Sequence, residues 1–112
     1  MKKIEAIVRP EKVDVVRKAL ERAGYPGVTI TEVEGHGKQK GVTRQWRGES
    51  YKVDLLPKVK LEVVVADKDL ERLLGAISSA AKTGSVGDGK MFVSDVKDAV
   101  RIRTGERGDE AL

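Results

Sequence analysis

Ile4-Glu5-Ala6-Ile7-Val8 and Leu61-Glu62-Val63-Val64-Val65 are one strand pattern written twice, 57 residues apart in a chain of 112. Each begins with alternation and ends in a continuous apolar run, the pattern of a strand covered on both sides by neighbours. Each is followed by a helical stripe. After Arg9-Pro10, with proline tolerated at a first helical position, Val13, Val16, Leu20 and Ala23 recur at spacings of three and four until Gly24 closes the helix. After Asp67, a plausible N-cap, Leu70, Leu73, Leu74, Ile77, Ala80 and Ala81 do the same until Thr83-Gly84. A further strand follows each helix: Val28 to Val33, running out at Gly35, and Lys90 to Val96. Two β-α-β units in one chain predict an α+β, ferredoxin-like split βαβ sandwich, with an antiparallel sheet and two helices on one face. The opposite face is then uncovered, and with mostly apolar strands on both sides it predicts oligomerisation. Lys97 to Val100 is expected as a turn of helix, Arg101-Ile102-Arg103 as a short extended piece, and residues 104–112 as a polar, mobile tail.

Between the two units lies Gly35 to Pro57, 23 residues without a sustained helical or strand period. Connections that long in a compact domain are usually functional or disordered. From Gly35 to Lys60 there are seven Lys or Arg against two Asp or Glu, whereas the whole chain carries only +4. Local basicity in a balanced chain points to a specific anionic ligand rather than to nucleic-acid coating. The stretch also holds the sole Trp, Trp46, and Tyr51, large aromatics that suit a partner better than a core.

Size and composition bound the rest. A chain of 112 residues makes one domain, 1–112, with one modest core. Met1-Lys2-Lys3 leads straight into strand-like sequence without an apolar leader, which predicts a soluble, cytoplasmic protein. Cysteine is absent and His36 is the lone histidine, so thiolate and histidine-rich metal sites are excluded. Charged residues reach 36%, and Asn is absent as well as Cys. That is the composition of a heat-adapted chain, and a melting midpoint above the mesophile range of about 45–65 °C is expected.

Gly84-Ser85-Val86-Gly87-Asp88-Gly89-Lys90 satisfies G-x-x-x-x-G-K. Glycines let backbone N–H groups approach phosphate oxygens, and the lysine meets their charge. Met91 stands where a P-loop NTPase carries the Mg²⁺-holding Ser or Thr, and the order is helix-loop-strand instead of strand-loop-helix. A glycine turn leading into a strand reads the same residues equally well. Arg101 and Arg103, alternating, are either a pair aimed at one anion or two solvated charges. Gly35-His36-Gly37-Lys38-Gln39-Lys40-Gly41 adds cations but is not the dinucleotide fingerprint.

Residues 31–41 (TEVEGHGKQKG), 47–65 (RGESYKVDLLPKVKLEVVV), 82–93 (KTGSVGDGKMFV) and 100–108 (VRIRTGERG) resemble, in order and spacing, the PII signal transduction proteins of nitrogen control. The resemblance implies a homotrimer with nucleotide sites in clefts between subunits, and a protruding loop, the T-loop, of about residues 37–55. It implies that Lys38, Gly87, Asp88, Gly89, Lys90, Arg101 and Arg103 surround the phosphates of ATP or ADP, with Gly37 beside them. Thr29, Glu62 and Val64 would lie about the adenine. Gln39 and Lys58 would serve 2-oxoglutarate, Gln39 also as a ligand to Mg²⁺. Arg47 matches the loop arginine that plugs an ammonium transporter, a role that brings the protein to the inner face of the membrane. Tyr51 matches a tyrosine uridylylated in bacterial relatives, or is a packing tyrosine. Glu49 stands where some relatives carry a phosphorylated Ser. Nitrogen-metabolism enzymes or regulators are further partners, and no direct contact with nucleic acid is implied.

A non-catalytic sensor of this kind accounts for both glycine clusters, the cations and the long loop. A P-loop-like ATPase accounts for the phosphate site but offers no evident general base, leaving at most slow hydrolysis. A ferredoxin-like RNA-binding module has the fold and the charge, but aromatics are only 4% and RNA platforms stack several.

Overall fold

Alternation in sequence becomes alternation in burial. In the computed structural model, which describes residues 1–35, 42–46, 49–53 and 56–112, β1 (Lys2–Val8) buries Ile4, Ala6 and Val8 and leaves Lys3, Glu5 and Ile7 half-covered on its other face. The second copy of the pattern, in β5 (Leu56–Val65), buries Val59, Leu61, Val63 and Val65. These two strands are antiparallel neighbours at the centre of the sheet, with Ile4 opposite Val63, Glu5 opposite Glu62 and Ala6 opposite Leu61. The repeat is thus paired with itself, almost symmetrically about the Glu5–Glu62 pair. β2 (Thr29–Gly35) flanks β5 and β6 (Lys90–Asp95) flanks β1, giving the order β2-β5-β1-β6 with every neighbour antiparallel.

The helices α1 (Val13–Arg22) and α2 (Leu70–Ala81) close the buried face. Val16 and Leu20 from α1 and Leu73, Ile77 and Ala81 from α2 join Ile4, Ala6, Leu61, Val63 and Val65 in one core. Fully buried leucines and isoleucines of this kind each contribute about 2–5 kcal/mol, judged by truncation to alanine. The predicted ferredoxin-like arrangement of four antiparallel strands and two helices is therefore the one found.

Five expectations are corrected. The stretch between Gly35 and Pro57 is not without structure of its own: β3 (Val42–Trp46) and β4 (Glu49–Val53) pair antiparallel, separately from the main sheet, and β5 begins at Leu56. Asp67 does not cap α2. A 3-10 turn, Asp67–Asp69, precedes that helix, and the Asp67 carboxylate pairs with the Met1 ammonium at 2.9 Å, which holds it below the usual carboxylate range. No helix forms over Lys97 to Val100. Arg101 to Arg103 is a turn rather than an extended piece, because Val100 bridges Arg107 and the Arg101 and Gly105 backbones bond back across it. The chain that follows ends in a 3-10 turn at Gly108–Ala111.

The fifth correction concerns the open sheet face, which is polar rather than mostly apolar. Glu5 and Glu62 oppose one another there, an arrangement that is destabilising unless countered. Lys3 answers it, 2.9 Å from Glu5 and 4.0 Å from Glu62, with Lys60 3.2 Å from Glu62. The Lys3 hydrogen bond holds the Glu5 carboxyl below its ordinary value. Among the described residues no helix is long and apolar enough to cross a membrane.

Candidate functional site

The loop from Gly84 to Gly89 joins α2 to β6, and its shape is set by Asp88. That carboxylate accepts hydrogen bonds from the Thr83 hydroxyl, from the backbone N–H of Thr83 at 2.8 Å and of Gly84 at 2.9 Å, and from Arg9 Nε at 3.2 Å. These donors, Thr83 first, drive its pKa far below the usual carboxylate range. The sign follows: what the folded state gains from ionised Asp88 is present above the unfolded value of about 3.9 and is lost only deep in acid.

Two cations fasten the loop to the sheet. Arg9, just past β1, donates from Nη2 to the Val86 carbonyl at 2.9 Å, and Lys58, in β5, donates from Nζ to the Gly87 carbonyl at 2.8 Å. Burial, then the charge of Arg9, pulls the Lys58 ammonium below its ordinary pKa. A negative charge brought close would oppose that shift by favouring the ammonium form. Gly87 and Gly89 hold φ of 103° and 97°. Gly89 lies so close to β1 that a Cβ there would stand 1.7 Å from the Ile7 carbonyl oxygen. Lys90 opens β6 opposite Ile7, with its side chain exposed. The loop ordered by Asp88, the close approach of Gly89 to Ile7 and the exposed Lys90 therefore meet at the end of the sheet where β2 stops at Gly35 and β5 starts at Leu56.

The other predicted residues gather at the far end. Thr29, Glu62 and Val64 border a groove of about 690 Å³ whose walls include Lys3, Tyr25, Pro26 and the C-terminal residues Asp109, Ala111 and Leu112. Thr29 stands opposite Glu62 in the sheet. Tyr25 fixes one wall, its hydroxyl donating to Asp69 at 2.5 Å and accepting from the Ala66 N–H at 3.1 Å. Burial, with the Asp69 hydrogen bond second, raises its pKa. Arg101 is folded onto the C-terminal segment, donating to Glu106 Oε1 at 2.8 Å and to the Glu110 carbonyl at 3.0 Å. Arg103 is exposed and has no hydrogen bond or ion pair among the described residues.

One chain therefore does not bring all the predicted phosphate ligands together. β6 separates Lys90 from the segment that carries Arg101 and Arg103, and its six residues span about 17 Å. Gly37, Lys38, Gln39 and Arg47 lie outside the described residues. Tyr51 is in β4, but its side chain is likewise outside them. Arg9 and Thr83 are site-building residues that the sequence reading passed over. An arginine just before the strand-ending proline was the available signal for the first, and none marked the second.

Comparison with known proteins agrees over the full length. The family model described as "Nitrogen regulatory protein P-II" matches residues 1–106. The chain belongs to the P-II family. It is 55% identical over 112 residues to "Nitrogen regulatory protein P-II" of Rhizobium meliloti, covering all of both chains. It is 56% and 53% identical to "Nitrogen regulatory protein P-II 1" and "Nitrogen regulatory protein P-II 2" of Methanothermobacter thermautotrophicus, covering all of this chain and 97% of each of those. Membership makes this P-II chain a regulatory signal transducer of nitrogen metabolism that acts by binding partners, and its relatives bear the names of regulators rather than enzymes.

Proposed function

We propose that this P-II protein is a non-catalytic, cytoplasmic sensor that reads ATP or ADP together with 2-oxoglutarate and regulates nitrogen assimilation through its 37–55 loop. Its most direct target is an ammonium transporter at the inner face of the membrane, blocked by Arg47. Nitrogen-metabolism enzymes or regulators are further partners. The observation that carries this reading is the division of anion-binding groups between the two ends of β6. Gly87, Gly89 and Lys90 stand at one end, and Arg101 and Arg103 follow the other, beside the groove of Thr29, Glu62 and Val64. A nucleotide that uses both sets bridges two copies, adenine and arginines from one and glycine loop from the next, as in a homotrimer with sites in its clefts.

The described residues fit a polyphosphate. The cradle admits no side chain at Gly89, Lys90 and Arg103 are exposed, and Lys58 stands at the root of the loop, bonded to the Gly87 carbonyl. Lys58 with Gln39 would hold the oxo-acid. Mg²⁺ commonly takes one or two protein ligands and completes its shell with phosphates and water, so a single amide oxygen from Gln39 suffices. The effectors act only through different affinities for two states of the loop, so occupancy at its base becomes a change in what its tip binds. Uridylylation of Tyr51 would add a charge to the same tip.

Calorimetric titration tests this. With MgATP present, 2-oxoglutarate should bind measurably, and without nucleotide it should not. Lys58→Ala should weaken the oxo-acid chiefly. Arg47→Ala should leave both ligands unaffected while losing retention on transporter-containing membranes. Elution should correspond to three times the 12.2 kDa chain mass. Oxo-acid affinity independent of nucleotide would sink the sensor. Sustained hydrolysis well above about one turnover per minute would favour an ATPase instead.

A further inference from the structure

The C-terminal turn holds Arg101 in a way that the nucleotide reading does not use. The Arg101 guanidinium spends Nη1 on the Glu106 carboxylate at 2.8 Å and Nη2 on the Glu110 carbonyl at 3.0 Å. A carboxylate and a phosphate present oxygens of the same charge and similar geometry to guanidinium, so both cannot take the same donor. Resting on the reading above, we propose that Glu106 is a built-in competitor for Arg101: its carboxylate takes the guanidinium donor that a nucleotide phosphate needs, so that nucleotide binds by displacing it.

The turn is built so that this pair can open without unfolding it. Its shape is fixed by the backbone: the Arg101 N–H donates to the Glu106 carbonyl at 2.8 Å, the Gly105 N–H to the Arg101 carbonyl at 2.8 Å, and Val100 bridges Arg107. Arg107 is held separately, by Asp98. The Thr104 hydroxyl accepts the Glu106 N–H at 3.3 Å. None of these needs the Glu106 carboxylate. The pair itself is solvent-accessible, with side-chain exposures of 36% for Arg101 and 40% for Glu106. Ion pairs so exposed are weak, and a polyphosphate of higher charge outcompetes one readily. A buried pair would have locked Arg101 away. This one sets a threshold.

The sign of the effect separates competition from support. If Glu106 merely positioned Arg101, neutralising it would weaken nucleotide binding. As a competitor, its neutralisation should strengthen it. Glu106→Gln keeps the size and the backbone bonds, and MgATP should bind it about two- to fivefold more tightly than wild type, the scale of an exposed ion pair. In an Arg101→Ala background the same substitution should change the affinity by less than the error of the titration. Glu106→Ala should repeat the gain, with the urea midpoint reporting whether the turn survives. Unchanged or weaker MgATP binding by a folded Glu106→Gln chain, or the same gain with Arg101 absent, overturns the competitor while leaving the nucleotide sensor standing. A wild-type chain that does not bind MgATP overturns both.

Discussion

Co-refolding Lys90→Ala chains with Arg103→Ala chains should recover about a quarter of the nucleotide sites that neither variant forms alone, the signature of a cyclic, head-to-tail assembly. On the proposed reading each substitution would remove a charge-assisted contact to phosphate, and alone should weaken ATP roughly tenfold to a hundredfold at every site. In a mixed ring a cleft is whole only when its glycine loop comes from an Arg103→Ala chain and its arginines from a Lys90→Ala chain. At equal mixing each condition is met half the time. The prediction follows from β6, which sets Lys90 and the Arg101–Arg103 turn at opposite ends of one chain. Arg103 is the better partner than Arg101 for this test, because Arg101 also bonds Glu106 and Glu110, so its loss would change more than a phosphate contact. Calorimetric stoichiometry at an ATP concentration between the two affinities reads the outcome. If mixing restores no tight sites, the two cations do not meet across a subunit boundary and the divided site is wrong.

Elements whose burial writes a period are legible in the sequence, and those without one are not. β1, β5, α1 and α2 each have one face in the core, and their spacings of two or of three and four were visible without coordinates. β3 and β4 pair only with each other, outside the main sheet. Their apolar alternation is short and broken: Val42 and Trp46 are interrupted by Arg44, and only Tyr51 and Val53 alternate with polar neighbours in Glu49-Ser50-Tyr51-Lys52-Val53. Their legible signal was a different one: two β-capable runs separated by two residues, the second of them Gly48, which is a hairpin spacing. The turn at Arg101–Arg103 is set by the bridge from Val100 to Arg107, a contact that alternating arginines do not encode. The open face was misjudged by counting apolar residues across whole strands; taken every second residue, Lys3, Glu5, Lys60 and Glu62 already announce a charged surface. The cations and glycines of the site were legible as residue types. Their division between two ends of the sheet was not, since it depends on where β6 begins and stops.

Gly89→Ala should be the most damaging single-methyl change in the described chain. The added carbon would lie 1.7 Å from the Ile7 carbonyl oxygen and 2.8 Å from its carbon, both backbone atoms of the central strand, at a φ of 97° that L-residues rarely adopt. Strain at such a dihedral costs about 1–3 kcal/mol, and overpacking against atoms that cannot rotate away costs about as much again. Together these, about 2–6 kcal/mol, are a large fraction of the stability of a small domain, about 5–15 kcal/mol. The chain can respond in two ways, and they have different signatures. If β1 holds, the loop must lift away, surrendering the Lys58 and Arg9 hydrogen bonds to Gly87 and Val86 and the pairing of Lys90 with Ile7, so nucleotide binding fails while the urea midpoint falls modestly. If the loop holds, β1 must yield, and the midpoint falls steeply because that strand is central. Gly84→Ala is the control: its φ is 90° but no atom lies within 4 Å of the added carbon, so it bears the dihedral strain without the clash. A Gly89→Ala chain with a wild-type midpoint and undiminished ATP affinity would show that the cradle against Ile7 is neither tight nor used. Failure of Gly89→Ala with survival of Gly84→Ala would instead assign the glycine to close approach between loop and strand. That contact seats the Gly84–Gly89 loop against β1, and no residue with a side chain can make it.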